Sequence, residues 1–112
     1  MKLIGSMAED YFKKELKEGN EYLLEKRGDP MLMELLHREI GSIESAYFLS
    51  GYRLSNYHVC NLLVNGVTVC HVEISDGELE SFEKISVSEY KNGLKRRDQI
   101  KLQLAIELAG GK

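Results

Sequence analysis

An Asn-Gly pair between two runs of β-branched residues constrains the fold of this chain more than any other feature. The pair is Asn65-Gly66, in the sequence YHVCNLLVNGVTVCHVEIS. Asn-Gly is the preferred pair for a two-residue type I′ turn, so the pattern predicts a hairpin over residues 57–74. A second turn at Asp76-Gly77 adds a third strand, whose weak alternation predicts a bulge or an edge position. We therefore expect a three-stranded antiparallel β-meander.

The length of the first turn fixes which side chains share a face of the hairpin. A two-residue turn puts Val64 opposite Val67, and side chains alternate between faces along each strand. Cys70 then points away from Cys60, whereas a three-residue loop centred on Asn65 would set the two cysteines opposite each other. With the two-residue turn, four residues lie together on one face, far from the turn: His58, Cys60, His71 and Glu73.

These four side chains carry the donor atoms that bind zinc in proteins. Imidazole nitrogen, thiolate sulfur and carboxylate oxygen are all zinc ligands, so the patch is a candidate metal site. The chain lacks the CxxC and HExxH spacings of common zinc sites. The alternative is that Cys60 is a buried apolar residue, the histidines are half-buried and Glu73 faces water. No other cofactor is expected.

The N-terminal half of the chain carries two stretches with helical periodicity. A capping-box pattern precedes the first stretch, which predicts an amphipathic helix over about residues 7–27. In the sequence RGDP, Asp29 suits an N-cap and Pro30 the first helical position, so a second helix is predicted over about residues 31–50. So tight a connection predicts an antiparallel helix pair.

The C-terminal stretch fits two kinds of structure. Good helix formers dominate residues 99–108, but apolar and polar residues alternate there with the period of a strand. We expect a helix packed on the sheet, and a strand is the alternative. A helix would carry apolar residues on two nearly opposite sides and would need cover on both, for which a second copy of the chain is a candidate. The two sets are Ile100, Leu104 and Leu108, and Leu102 and Ile106.

Opposite charges are concentrated in two neighbouring segments. Residues 73–83 hold five acids and no base. The basic segment, residues 91–101, holds one acid and five bases: Lys91, Lys95, Arg96, Arg97 and Lys101. It is the candidate nucleic-acid site, although the net charge of −3 disfavours that function. The alternative is that the basic segment faces the acidic one, within one chain or across a dimer, or is a solvated surface.

The totals are those of an ordinary globular protein. The chain has 112 residues, of which 29% are charged, and no tract rich in Gly, Ser and Pro, so we expect a single domain over residues 1–112. The sequence MKLIGS at positions 1–6 reads as a cloning-derived or flexible lead, or else as a short strand. Only two cysteines and no long apolar run argue against secretion or a membrane span, so a cytoplasmic protein is expected.

No motif in the sequence predicts catalysis, since Cys60 lies in mid-strand, where a thiolate is not stabilised. The expected function is that of a small, non-enzymatic protein-interaction or regulatory module with an α+β fold. Its partner would be a second copy, giving a homodimer, or another protein. Nucleic-acid binding through residues 91–101 and zinc binding on the 57–74 hairpin are the alternatives. Four aromatic residues are the candidate interface anchors: Tyr47, Phe48, Tyr52 and Tyr57.

Overall fold

The computed structural model describes residues 7–26 and 28–110 and has an α+β fold. One four-stranded antiparallel sheet has its strands in the order β1-β2-β3-β4, so each strand pairs with its neighbours in sequence. The predicted α+β class is confirmed, and the predicted lead at residues 1–6 lies outside the described residues. The elements run as follows: α1 Met7–Leu24, α2 Pro30–Glu39, β1 Ala46–Arg53, β2 Tyr57–Val64, β3 Thr68–Ser75, β4 Glu78–Ser86, α3 Val87–Lys91 and α4 Arg96–Leu108.

The predicted N-terminal helix pair is present, with its signals in the expected places. The Asp29 side chain accepts a hydrogen bond from the Leu32 N–H at 3.2 Å, and Pro30 occupies the first helical position of α2. The turn before it is closed by Tyr22, whose hydroxyl donates to the Gly28 carbonyl at 2.8 Å. These caps satisfy backbone groups that a helix end leaves without partners.

The second helix is shorter than predicted, and the chain after it forms an additional strand. Helix α2 ends at Glu39, where the Ile40 N–H bonds to the Leu36 carbonyl and Gly41 adopts a φ of 107°. This positive φ favours glycine and ends a helix, so Gly41 stops the helix that was predicted to continue to about residue 50. Residues 46–53 then form β1, and the prediction of three strands is wrong by one.

The β2–β3 turn has the predicted backbone conformation but one more residue than predicted. Asn65 and Gly66 have φ values of 55° and 74°, as a type I′ turn requires, and the Val67 N–H bonds to the Val64 carbonyl. The strand ladder nevertheless pairs Val64 with Thr68. Val67 is therefore an extra, bulged residue, and the predicted register is wrong by one.

The Asn65 side chain ties this turn to the loop between α2 and β1. Its Oδ1 accepts from the N–H groups of Glu44 at 2.6 Å and Ser45 at 3.3 Å, and its Nδ2 donates to the Ser42 carbonyl at 2.8 Å. The Asn65 N–H also donates to the Ser45 carbonyl at 2.9 Å. A loop some twenty residues earlier in the chain thus takes part in shaping the turn.

The β3–β4 hairpin agrees with the prediction. Asp76-Gly77 forms a two-residue turn between the paired residues Ser75 and Glu78. The register then shifts, since Ile74 pairs with Leu79 while Glu73 pairs with Ser81. The predicted bulge is confirmed, and β4 is an edge strand of the sheet.

Helices of the same chain cover both faces of the sheet. The side that we call the α2 face packs against α2 and the end of α1, and the side that we call the α4 face packs against α4 and the start of α1. The predicted packing of the C-terminal helix on the sheet is confirmed. Buried strand residues of the α2 face are Ala46, Cys60, Leu62, Val64, Cys70 and Val72, and those of the α4 face include Tyr47, Leu63 and Val69.

Within residues 7–26 and 28–110, none of the helices combines the length and the apolar content needed to cross a bilayer. The cytoplasmic location stays a prediction.

Candidate interaction site

The four residues of the predicted metal patch lie on two different faces of the sheet. Cys60 pairs with Val72 and shares the α2 face with His58, whereas His71 and Glu73 lie on the α4 face. The extra turn residue causes the separation, because a one-residue shift moves every side chain of one strand to the other face relative to its neighbour. Nowhere in the described part of the chain do three His, Cys, Asp or Glu residues form a group that could hold a metal ion. The predicted patch is therefore not assembled.

The two cysteines share the α2 face, contrary to the prediction that they point apart. Both are free thiols, 2% exposed for Cys60 and fully buried for Cys70, and Leu62 is the residue that pairs with Cys70. Burial raises the pKa of Cys60 to about 12 and the pKa of Cys70 to about 11. Both thiols therefore stay protonated at neutral pH and act as apolar core residues.

His71 and Glu73 form the centre of a hydrogen-bonded patch on the α4 face. The Nε2 atom of His71 lies 2.7 Å from Oε2 of Glu73, and its Nδ1 atom lies 2.8 Å from Oδ1 of Asn61. The hydroxyl of Tyr57 donates to Oε1 of Glu73 at 2.9 Å. Hydrogen bonds from His71 and Tyr57 lower the pKa of Glu73, and the same carboxylate raises the pKa of Tyr57.

The hydrogen-bonded row continues across the sheet to α3. Asn61 donates from Nδ2 to Oγ of Ser50 at 3.0 Å, and this hydroxyl lies 3.3 Å from the hydroxyl of Tyr90. We call this row the polar patch; it consists of Tyr57, Glu73, His71, Asn61, Ser50 and Tyr90. Both ring nitrogens of His71 are thus engaged, one by the carboxylate of Glu73 and the other by the side-chain amide of Asn61. These hydrogen bonds hold the side chains of the patch in place.

The four predicted interface aromatics do not form one surface. Tyr47 is 7% exposed, and its hydroxyl donates to the Leu108 carbonyl at 3.3 Å. Phe48 is half-buried against the core cluster of the α2 face. Both lie in β1 and not at a helix end, which explains their burial. Tyr52 is 56% exposed and Tyr57 is half-buried, with ring centroids 6.0 Å apart.

Part of the basic segment contacts α1, and most of its bases are exposed. Lys101 binds Oε1 of Glu15 at 2.8 Å, and Lys101 and Arg97 both lie over the ring of Phe12, at 5.9 and 5.2 Å from its centroid. Lys91 at the end of α3 and Lys95 before α4 are exposed, as are Arg96 and Arg97 in the first turn of α4. Four of the five predicted bases thus remain exposed around the start of α4.

A groove between α3 and α4 joins basic and apolar side chains. Its volume is about 920 Å³. Ile100 and Ile106 of α4, which belong to different apolar sides predicted for this helix, are both half-buried there. Each predicted side therefore has one member with only partial cover. Lys91 and Arg96 also line the groove, beside its apolar side chains. We call it the α3–α4 groove; its apolar lining consists of Val87, Ile100, Leu102 and Ile106.

The acidic segment has an exposed tip at the turn between β3 and β4. Leu79 is 39% exposed and belongs to neither core cluster, and its neighbours Glu78 and Glu80 are exposed. This tip lies at the start of β4, whereas α3 begins at Val87, directly after the strand ends. Nine residues of β4 at about 3.3 Å each separate the two by about 25–30 Å. Within one chain, the tip is therefore too far from α3 to contact it.

Comparison of this chain with protein families, with curated proteins and with solved structures finds no match.

Sequence reasoning missed the polar patch and the groove for different reasons. In the predicted register, Asn61 and His71 point to opposite faces, and Ser50 was placed in a helix, so no pattern united them. For the groove a signal existed. The two-sided apolar pattern of residues 100–108 already indicated a helix that one layer of sheet cannot cover.

Proposed function

We propose that this protein is a small, non-enzymatic interaction or regulatory module that binds an acidic peptide segment bearing an apolar side chain in the α3–α4 groove. The observation that carries the proposal is the pairing of half-buried Ile100 and Ile106 with Lys91 and Arg96 in one groove. Apolar side chains bury area on binding, and surrounding charges orient the partner and speed its approach.

The chemistry of the polar side chains also supports a binding role. The thiols of Cys60 and Cys70 are buried and protonated, and the imidazole of His71 is held between two side chains of the polar patch. None of the three offers an activated nucleophile next to a base. The proposed function therefore depends on the apolar surface and the positive charge of the α3–α4 groove.

Nucleic-acid binding is a second candidate, because four bases of the segment are exposed around the start of α4. The surroundings of the two sheet tyrosines disfavour it. Half-buried Tyr57 bonds to Glu73, exposed Tyr52 lies next to Tyr57, and Glu80 is close enough to raise the pKa of Tyr57. Carboxylates there would repel phosphate, so any nucleic-acid binding would be purely electrostatic and steeply dependent on salt.

The experiment that tests the proposal measures fluorescence anisotropy of labelled probes with the full chain. The probes are an acidic peptide of alternating Glu and Leu, a basic peptide of alternating Lys and Leu, and single- and double-stranded oligonucleotides. Two variants separate the two contributions: Ile106→Ser removes apolar lining, and Lys91→Glu with Arg96→Glu reverses the charge. Lys17→Glu, on the exposed side of α1, is the matched control for charge.

We expect the acidic peptide to bind and the basic peptide not to bind. Each groove variant should weaken binding of the acidic peptide by about tenfold or more, whereas Lys17→Glu should leave its affinity unchanged. Oligonucleotide binding that is lost on charge reversal but kept in Ile106→Ser would favour the second candidate. An acidic peptide that does not bind, or that binds all variants equally, overturns the proposal.

A further inference from the structure

We infer that the outer edge of β1 binds an extended peptide segment of another protein, which lies as an added strand in the cleft between this edge and α1. The cleft, which we call the α1–β1 groove, has a volume of about 570 Å³ and shares no lining residue with the α3–α4 groove. The inference therefore goes beyond the proposed function and concerns a second surface. The segment that fits is apolar and carries a single basic side chain.

Helix α1 packs against the first half of β1 and leaves the second half open. The Ala46 N–H donates to Oδ1 of Asn20 at 2.8 Å, and the ring of Phe48 lies against Gly19 of the helix. Residues 50–53 are all exposed, and in the described part of the chain no strand pairs with their outer side. An edge strand with unpaired N–H and C=O groups can accept a further strand.

The register of β1 and β2 shows which backbone groups face outward. Leu54 and Tyr57 are a bonded pair, with the Leu54 N–H 2.7 Å from the Tyr57 carbonyl. Opposed residues of antiparallel strands alternate between bonded and non-bonded pairs. Tyr52 is then bonded to β2, whereas Gly51 and Arg53 direct their N–H and C=O groups to the outer edge. These two residues offer the hydrogen bonds that an added strand requires.

A bulge separates the open half of β1 from the half that α1 covers. The register shifts between Phe48 and Ser50, so Leu49 is an extra residue, and its side chain is buried. A bulge bends its strand. Gly51 follows with a φ of 148°, and a Cβ there would stand 2.3 Å from a carbonyl oxygen of β2. Position 51 is therefore restricted to glycine, and no side chain at this position stands between the edge and an approaching backbone.

Aromatic rings on both walls of the α1–β1 groove provide its apolar contacts. Tyr22 of α1 and Tyr52 of β1 line the groove and are 44% and 56% exposed. The half-buried ring of Phe48 lies between the two walls. Exposed aromatic rings are good anchors for a partner, because they bury a large area and lose little conformational freedom. The groove therefore favours a segment with apolar side chains.

Glu18 determines the charge that the segment should carry. It is exposed, lines the groove and has no ion-pair or hydrogen-bond partner in the described part of the chain. The bases of the groove are already paired. Lys101 binds Glu15 at 2.8 Å, and the Arg53 guanidinium lies 3.8 Å from Asp29. One basic side chain complements Glu18, whereas a peptide of alternating Lys and Leu would also place lysines beside the two paired bases.

The experiment that tests the inference measures fluorescence anisotropy of the labelled peptide Val-Thr-Val-Lys-Val-Thr-Val, here called the lysine peptide, with the full chain. Two further forms of this peptide are N-methylated at the odd or at the even positions. Each set of methyl groups removes the N–H donors of one edge of the extended peptide. Only one edge can pair with β1, so each form is the matched control for the other.

Two pairs of protein variants test the same contacts from the other side. Arg53→Pro removes an outward N–H, while Arg53→Ala removes the same side chain and keeps the N–H. Proline is tolerated in an edge strand where its nitrogen faces away from the ladder. Glu18→Lys reverses the free charge of the groove, and Glu34→Lys, on the exposed side of α2, is its control.

We expect the lysine peptide to bind and one of its N-methylated forms to bind about tenfold or more weakly, because that form loses the hydrogen bonds to β1. Arg53→Pro should cause a similar loss, and Arg53→Ala should not. Glu18→Lys should weaken the lysine peptide several-fold and favour the same peptide with a central Glu, whereas Glu34→Lys should change neither affinity. Amide exchange at Gly51 and Arg53 should slow when the lysine peptide is bound.

Failure of the native chain to bind the lysine peptide overturns the inference. Equal affinities of the two N-methylated forms also overturn it, because they would show contact without strand addition; this comparison leaves the protein unchanged and decides even if Arg53→Pro does not fold. Self-association that Arg53→Pro abolishes would assign the edge to a second copy and reject the proposed partner. An excess of the acidic peptide of alternating Glu and Leu should not displace the lysine peptide, so this inference and the proposed function fail separately.

Discussion

The two faces of the sheet are formed by alternate residues of the same strands, but they differ in burial and polarity. On the α2 face, Leu62, Val72 and Cys70 are fully buried beneath a helix. On the α4 face, Asn61 and His71 of the same two strands lie outside the core clusters and are hydrogen-bonded to each other. The alternation of side chains along a strand therefore predicts that the sheet has two faces. The extent to which helices cover each face decides whether its residues form an apolar core or an accessible polar surface.

Helix α4 covers the α4 face of the sheet close to the β2–β3 turn but not farther along the strands. The Tyr47 hydroxyl bonds to the Leu108 carbonyl, and Ala109 lies so close to Gly66 that a Cβ on this glycine would stand 3.1 Å from the Ala109 Cβ. Leu63 and Val69, close to the turn, are buried there, and the polar patch begins two residues further from the turn on each strand. If these polar side chains were fully buried, each of their donors and acceptors would need a partner within the protein. Because they are half-exposed, water can also serve as a partner.

The strongest contrast between the faces is expected in thiol chemistry. Cys60 and Cys70 should react with a disulfide reagent at neutral pH roughly a hundredfold to a thousandfold more slowly than an exposed thiol, because their pKa values are raised to about 12 and about 11. Ser50→Cys places a matched thiol on the exposed part of the α4 face. Labelling rates followed by mass spectrometry check this, and equal rates at all three positions would show that the α2 face is not closed.

Core truncation should separate the two faces in stability. Leu62→Ala is expected to lower the free energy of unfolding by about 2–5 kcal/mol, because it opens a cavity beneath α2. Asn61→Ala, one residue away on the other face, should cost about 1 kcal/mol, because it removes half-exposed hydrogen bonds. Urea unfolding measures both, and similar losses would contradict the proposed difference in cover.

Asn65 should contribute to stability through its side chain as well as its backbone. Asn65→Ala is expected to cost about 2–3 kcal/mol, because it removes the bonds to residues 42–45 and places alanine at a φ of 55°. Asn65→Gly, which keeps the backbone conformation, should cost about half as much. Denaturation and amide exchange of residues 44 and 45 test this. If the two variants were equally stable, the side-chain bonds would have no role in fixing the turn.

The smallest effect concerns the acid dependence of the polar patch. The folded-state pKa of Glu73 is lowered by hydrogen bonds from His71 and Tyr57, so its contribution to stability is present above the ordinary value of 4.5 and is lost as pH falls through the folded value. The difference in unfolding free energy between the native chain and Glu73→Gln should therefore shrink in acid. A difference that stays constant from neutral to acidic pH would contradict this assignment.

Much of the fold follows from short signals in the sequence. The start at Asp29-Pro30, the turn at Asp76-Gly77 and the C-terminal helix were all predicted, because each depends on the preferences of a few neighbouring residues. Strand β1 was missed, since Ile43, Ala46 and Tyr47 continue the helical spacing of α2. The glycine stop at position 41 competed with that periodicity and prevailed.

The candidate site was predictable in its parts and not in its assembly. The exposed bases around α4 and the two-sided apolar pattern of that helix were read from the sequence, and the structure joins them in one groove. The four residues of the predicted metal patch lie on two faces because only the assumed register united them. Tyr47 and Phe48 pack against the core because they belong to a strand that the helical pattern concealed.

By itself, the sequence determined the helix start at Asp29-Pro30 and the two hairpin turns at Asn65-Gly66 and Asp76-Gly77, because turns and caps depend on local backbone preferences. Only the tertiary structure decided the register of the central hairpin and therefore which residues share a face. The physical reason lies at Asn65, whose side chain bonds to a loop twenty residues away while the turn accepts one extra residue. A one-residue bulge has a small local cost, and contacts distant in sequence are enough to select it.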